Sequence, residues 1–153
     1  ERTIRSAPTI STMFGGPGVG RRADMLAEMH KRGIHSTNIF NKIDYKKAFQ
    51  DVAIMLNYRQ FSSFHTLEEL RVLPSLVQGC IVVTEDAPLL TNVPYSEFLE
   101  VATELQFVDK VQHVAEHYEE VWGRVFGKNS ELISVFGDMY SKSASKIRQI
   151  VSL

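Results

Sequence analysis

The chain has 153 residues, of which 44% are hydrophobic and 23% charged, and its formal net charge is -1. A chain of this length can bury roughly 70% of its unfolded surface around one core without disulfide or metal staples, and the composition is far from that of a disordered segment. The near-zero charge excludes an overall basic field for nucleic acid or an anionic membrane surface, leaving local basic loops able to hold a small anion.

Cys80 is the one cysteine, which rules out an intrachain disulfide and a cysteine zinc cluster. Its place in the apolar run Cys80-Ile81-Val82-Val83 points to burial rather than thiol chemistry. No stretch reaches the roughly 20 apolar residues that span a bilayer. The expectation is a soluble, cytoplasmic protein; the start at Glu1 rather than Met fits a piece of a longer one.

In chain order, Thr9-Ile10-Ser11-Thr12-Met13-Phe14 is rich in strand-forming residues and stops at Gly15-Gly16-Pro17-Gly18-Val19-Gly20. Residues 21–32 read as a helix, with Ala23, Leu26, Ala27 and His30 at helical spacing and Gly33 as the stop. Residues 34–40 supply a second, more polar strand, and Asp44 caps a short helix through Val52 that carries Tyr45, Ala48 and Phe49 on one side. Val52-Ala53-Ile54-Met55-Leu56 is apolar on both faces, as a central parallel strand requires.

Residues 60–65 form a loop, and Thr66 followed by Glu69 has the form of a capping box. The helix so opened runs to Gln78, with Leu67, Leu70, Leu73 and Val77 in phase and Pro74 predicting a kink. Ile81-Val82-Val83-Thr84 is the clearest buried strand, a long loop covers residues 87–98, and residues 98–102 return as a strand that Glu100 assigns to an edge. One long amphipathic helix is expected over residues 105–126, and a last helix, capped by Ser130, uses Leu132, Ile133, Phe136, Met139, Tyr140, Ile147 and Ile150. The order predicts one α/β domain over residues 1–153: a Rossmann-like open parallel sheet with helices on both faces, followed by carboxyl-terminal helices.

In such a sheet every strand delivers its following loop to one rim, beside helix amino termini whose free N–H groups favour anions. The loops at residues 15–22, 57–66 and 84–95 bring Arg21, Arg22, Arg59, His65, Thr66, Glu85 and Asp86 there. That set suits a phosphate-bearing ligand with hydroxyl groups for the carboxylates to read. Gly15 and Gly20 have P-loop spacing, but Arg21 and Arg22 stand where Lys and Ser or Thr would reach phosphate and magnesium, so the match fails at its chemical end. Gly15 and Gly16 either let a ligand approach the backbone or simply turn the chain; Arg21 and Arg22 either touch phosphate or lie on exposed helix surface. Arg59 follows the central strand directly and either meets phosphate or pairs with a local acid. Glu68 and Glu69 open the third helix: a carboxylate here either reads ribose or sugar hydroxyls, with Arg71 pairing to it or to phosphate, or, for Glu69, reaches back to the cap. His65 fits capping as well as catalysis, and His113 and His117, four apart without a third ligand, read as surface histidines rather than a metal site.

The segments Phe14 to Arg22, Ala53 to Arg59 and Thr66 to Glu85 resemble the carboxyl-terminal half of GT-B glycosyltransferases, especially the spore-maturation CgeB-like group, over about residues 9–125. The resemblance implies two facing Rossmann-like domains, of which this would be the one that binds a nucleotide-diphosphate sugar, with an amino-terminal acceptor-binding domain as its partner and no metal or other cofactor. It implies substrate contacts from Gly16, Arg21, Arg59 and Thr66, and leaves the catalytic residues unassigned. The family's ribose-binding glutamate falls at Pro74, a departure that keeps open the alternative of a noncatalytic nucleotide-binding or structural domain. A receiver-like signalling module is disfavoured, because no acidic cluster follows the first strand.

Overall fold

The computed structural model describes residues 4–16, 19–42 and 44–151. It contains a five-stranded, all-parallel sheet: β1 (Ile10–Thr12), β2 (Ser36–Asn38), β3 (Ile54–Asn57), β4 (Ile81–Glu85) and β5 (Glu100–Ala102), in the order β2-β1-β3-β4-β5. The register aligns Ile10 with both Ser36 and Ile54, Ile54 with Ile81, and Val83 with Glu100. The central strands β3 and β4 are buried at every position, which the apolar runs Ile54-Met55-Leu56 and Ile81-Val82-Val83 foretell although polar Asn57, Thr84 and Glu85 end them, whereas β2 lies at an open edge and is largely exposed.

Among the described residues six α-helices accompany the sheet: α1 (Arg21–Lys31), α2 (Tyr45–Gln50), α3 (Glu69–Val77), α4 (Phe107–Glu116), α5 (Tyr118–Phe126) and α6 (Leu132–Val151). Leaving β1 the chain steps one way along the sheet, and leaving β2 it steps back past β1. Right-handed crossovers therefore place α1 on one face, where it meets α4, and α2 and α3 on the other. The Rossmann-like open sheet expected from the sequence is what forms.

Local chemistry sets the element ends. Asp44 caps α2 by accepting from the Lys47 N–H at 3.0 Å, and the Tyr45 side chain lies outside the described residues. Gly79, at φ 80°, turns the chain from α3 into β4, a left-handed conformation that favours glycine. Cys80 is buried, and that burial pushes its thiol up to about 12, so it packs as a small apolar group.

Three local expectations are corrected. Of Leu67, Leu70, Leu73 and Val77 only Leu67 and Leu73 pack, partly buried, against the core: Leu70 is 93% exposed, and the buried residues of α3 are Arg71, Val72, Ser75 and Leu76. Burying an arginine in the first turn rotates the helix away from its most apolar stripe, and the Ser75 hydroxyl donates to the Arg71 carbonyl at 2.6 Å. Helix α1 likewise buries Arg22, Met25 and Met29, with Ala27 and His30 exposed. The long helix of residues 105–126 divides at His117, whose backbone (φ -111°, ψ 30°) leaves the helical region between α4 and α5. The residues 87–98 hold two short 3-10 turns, Leu90–Asn92 and Ser96–Phe98, and another, Glu104–Gln106, follows β5.

Beyond the sheet, α6 anchors through buried Leu132 and half-buried Val135, Phe136 and Met139, while Ile133, Tyr140, Ile147 and Ile150 face outward. Ser130 begins it as expected, its hydroxyl accepting from the Leu132 N–H at 3.3 Å. No helix among the described residues is long and apolar enough to cross a membrane.

Candidate functional site at the carboxyl rim

The strand order reverses direction between β1 and β3, the position at which open parallel sheets place a ligand crevice at the carboxyl rim. Two linked polar clusters fill its floor. At the first centre is Glu85, the last residue of β4, whose side chain is 1% exposed. Its carboxylate accepts from the Arg59 main-chain N–H at 2.6 Å, from the Arg59 guanidinium at 3.4 Å and from Arg21 at 2.7 Å. Arg21, at the start of α1, also donates to the Arg59 carbonyl at 3.2 Å and holds both oxygens of Glu104, at 3.0 and 2.8 Å. The Tyr58 hydroxyl reaches the same Glu104 at 3.4 Å.

The second cluster lies beneath α3. Arg22, buried, donates to the Tyr58 carbonyl at 3.1 Å and to Glu68 at 3.2 Å. Glu68 also pairs with Arg71, which donates to Asn57 Oδ1 at 2.7 Å and to the Met13 carbonyl at 3.1 Å. Asn57 in turn donates to Thr84 Oγ1 at 2.9 Å, so the ends of β1, β3 and β4 are tied by one chain of bonds. The Phe14 ring lies between two guanidiniums, with Arg22 at 4.3 Å and Arg71 at 5.2 Å from its centroid. Arg71 Nε is buried without a hydrogen-bond partner among the described residues.

These surroundings set the charges. Burial is the largest influence on Arg71 and pushes its pKa down to about 10, so it remains a cation near neutral pH. Burial lowers Arg22 as well. It also opposes the charge on Arg21, but there the hydrogen bonds to Glu104 and Glu85, with the attraction of Glu85, outweigh it and raise the pKa above the ordinary arginine value. Glu104 is held below the ordinary carboxylate range by its Arg21 bonds. Tyr58 is pushed up to about 12, chiefly by burial, and stays a neutral donor.

The rim thus gathers Arg21, Arg22, Arg59, Arg71 and Glu85 in one connected set, though Arg22 and Arg71 sit deeper than an exposed contact would. His65 is exposed and, with Arg59, Ser62, Asp86, Ala87 and Pro88, lines an open pocket of about 310 Å3. Arg59 braces this loop by donating to the Phe64 carbonyl at 2.6 Å. Gly16 takes φ 126° with open space around it, a backbone shape that glycine alone adopts freely; Gly15 lies close under the Phe40 ring; Pro17 and Gly18 lie outside the described residues. Thr66 is exposed and makes no cap: α3 begins at Glu69 with Glu68 at its N-cap position and no side-chain cap bond, so the expected capping box does not form. Glu69 is exposed, with its carboxylate beside the buried Tyr95 hydroxyl, and the carboxylate that serves Arg71 is Glu68.

Glu104, Tyr58 and Asn57 belong to the site without having been singled out in it, whereas Glu68 is one of the two carboxylates expected at the helix start. Glu104 follows the edge strand β5, and extending the strand-end rule to that strand would have found it. A wider groove of about 520 Å3 lies beside α2, but its cations, Lys42 and Lys47, are exposed surface lysines accompanied by Asp44 and Asp51, so the concentrated cationic chemistry is at the rim. Among the described residues no group of three or more His, Cys, Asp or Glu is placed to hold a metal ion.

No family model matches the chain, and no solved structure matches it. It is similar to an uncharacterized protein of Acanthamoeba polyphaga mimivirus, with 24% identity over 119 residues, covering 74% of this chain and 42% of the relative. The chain therefore spans less than half of that relative's length.

Proposed function

We propose that the carboxyl rim binds the diphosphate of a nucleotide-linked sugar, and that the domain is the donor-binding half of a glycosyltransferase of GT-B type. The observation that carries this is the convergence of Arg21 and Arg59, from the loops after β1 and β3, on one carboxylate at the crevice floor. Two forked cations beside a glycine turn and two helix amino termini match the charge and shape of a diphosphate. Arg21, Arg59 and Glu85, which meet at the rim, each belong to one of the three sequence segments that resemble the CgeB-like group.

In the transfer step an acceptor hydroxyl oxygen bonds to the anomeric carbon while the bond from that carbon to the diphosphate oxygen breaks. Arg21, Arg59 and nearby main-chain N–H groups stabilise the charge gathering on the leaving diphosphate. The acceptor proton passes to a base on a covering domain. Val19, Phe61, Leu70, Leu89 and Leu105 are exposed apolar side chains in segments that follow the carboxyl ends of the strands, and such side chains fit a surface that another domain covers.

Pro74 favours a second reading. It is exposed on α3, where the resemblance would place a ribose-binding glutamate, so the chain lacks that contact and suits a noncatalytic nucleotide-binding domain as well. Calorimetric titration with a panel of nucleoside diphosphates and their sugar conjugates separates the two. Tighter binding of one sugar conjugate than of its parent diphosphate supports the donor role; equal binding supports a nucleotide-binding domain; a folded sample that binds none overturns both.

A further inference from the structure

The acids that hold Arg21 differ in how firmly they are built in. Glu85 is 1% exposed at its side chain and receives four hydrogen bonds from two arginines, so removing it would leave buried charge unpaired. Glu104 is 50% exposed at its side chain, sits in a short 3-10 turn beyond the edge strand, and meets Arg21 through both carboxylate oxygens. A carboxylate on an arginine fork presents two oxygens in the same way a phosphate does.

We infer that Glu104 occupies the place of a ligand phosphate on Arg21, and that binding exchanges it for phosphate oxygens while Glu85 stays fixed. Glu104 is then an affinity-setting residue for the site: an incoming group must offer more to Arg21 than an exposed carboxylate does. A single neutral hydroxyl or carbonyl offers too little, whereas a multiply charged phosphate succeeds. On release, Glu104 also gives up the bond from the Tyr58 hydroxyl, freeing a second donor toward the crevice. No bond is made or broken covalently; one ion pair replaces another.

The inference rests on the rim being an anion site, so the experiment distinguishes the two. Inorganic pyrophosphate is titrated calorimetrically into the wild-type chain, Glu104→Gln and Glu119→Gln; the last removes an equal charge from the exposed surface of α5. Glu104→Gln is expected to bind roughly threefold to fivefold tighter, the worth of an exposed pair, with Glu119→Gln unchanged. In an Arg21→Gln background, the gain from Glu104→Gln is expected to vanish. Pyrophosphate binding that Glu104→Gln leaves unchanged or weakens overturns the role of Glu104 and leaves the anion site standing. An equal gain in Glu119→Gln reduces the effect to net charge and overturns it too. Absence of binding in all three folded proteins overturns the anion site and this inference together.

Discussion

At the amino end of the sheet the Arg5 guanidinium donates to the main-chain carbonyls of Gln50, Gly79 and Phe49 at 3.0 Å and of Gln78 at 3.2 Å. At the carboxyl end Arg21, Arg22, Arg59 and Arg71 rest largely on the carboxylates of Glu68, Glu85 and Glu104. The difference follows from the direction of the helices. Arg5 meets the carbonyl ends of α2 and α3, where a cation is welcome and neutral acceptors suffice. The rim cations stand near helix starts, which present N–H groups, and need anions. A cation satisfied by main chain is a fixed staple, whereas a cation satisfied by an exposed carboxylate such as Glu104 can change partners.

The contrast is broken most severely at Glu85. Glu85→Ala leaves Arg21 and Arg59 without their buried anion and is expected to cost about 3–5 kcal/mol, read as a lower denaturant midpoint. A loss below about 1 kcal/mol would mean that the pair is solvated and the floor is not fixed. Next comes Arg5→Ala, expected to cost about 2–3 kcal/mol for its charged hydrogen bonds while leaving anion binding unchanged. Weakened pyrophosphate binding by a folded Arg5→Ala protein would contradict the separation of the two ends.

Arg59→Ala sharpens the comparison in function. Diphosphate affinity should fall about tenfold or more, because a charge-assisted fork is lost, while nucleoside affinity changes less than about twofold. Equal losses for both ligands would argue against a phosphate contact. The smallest effect is the pH dependence of Glu104. Its folded pKa is depressed, so its stabilisation is complete above the unfolded value near 4.5 and disappears as pH falls through the lower folded value. With a half-exposed side chain and solvent screening, the contribution is below about 1 kcal/mol. Acid unfolding curves of wild type and Glu104→Gln should converge at the lowest pH; divergence there would assign the effect to another group.

The sequence was most readable where burial alone decides structure. The apolar runs of β3 and β4 and the Gly-terminated α1 and α3 dictate the sheet, and the strand-to-rim rule brings Arg21, Arg59 and Glu85 together. It was least readable where polar groups are buried in pairs. Arg71 and Ser75 occupy the inner face of α3 because Asn57, Met13 and Glu68 satisfy the arginine, a tertiary arrangement that no helical periodicity contains. The same holds for Arg22 over Phe14. The break at His117 was hidden because the apolar spacing on its two sides reads as one helix, and Glu104 was overlooked because it follows a short edge strand.

The most direct test of the rim is nitrogen-detected magnetic resonance of the chain titrated with a nucleoside diphosphate. The account predicts saturating shifts in the main-chain N–H groups of Gly16, Arg21 and Arg59 and in the Nε–H signals of Arg21 and Arg59, with the Arg5 signals unmoved. Shifts centred on α2 or α6 with those rim signals still would contradict it.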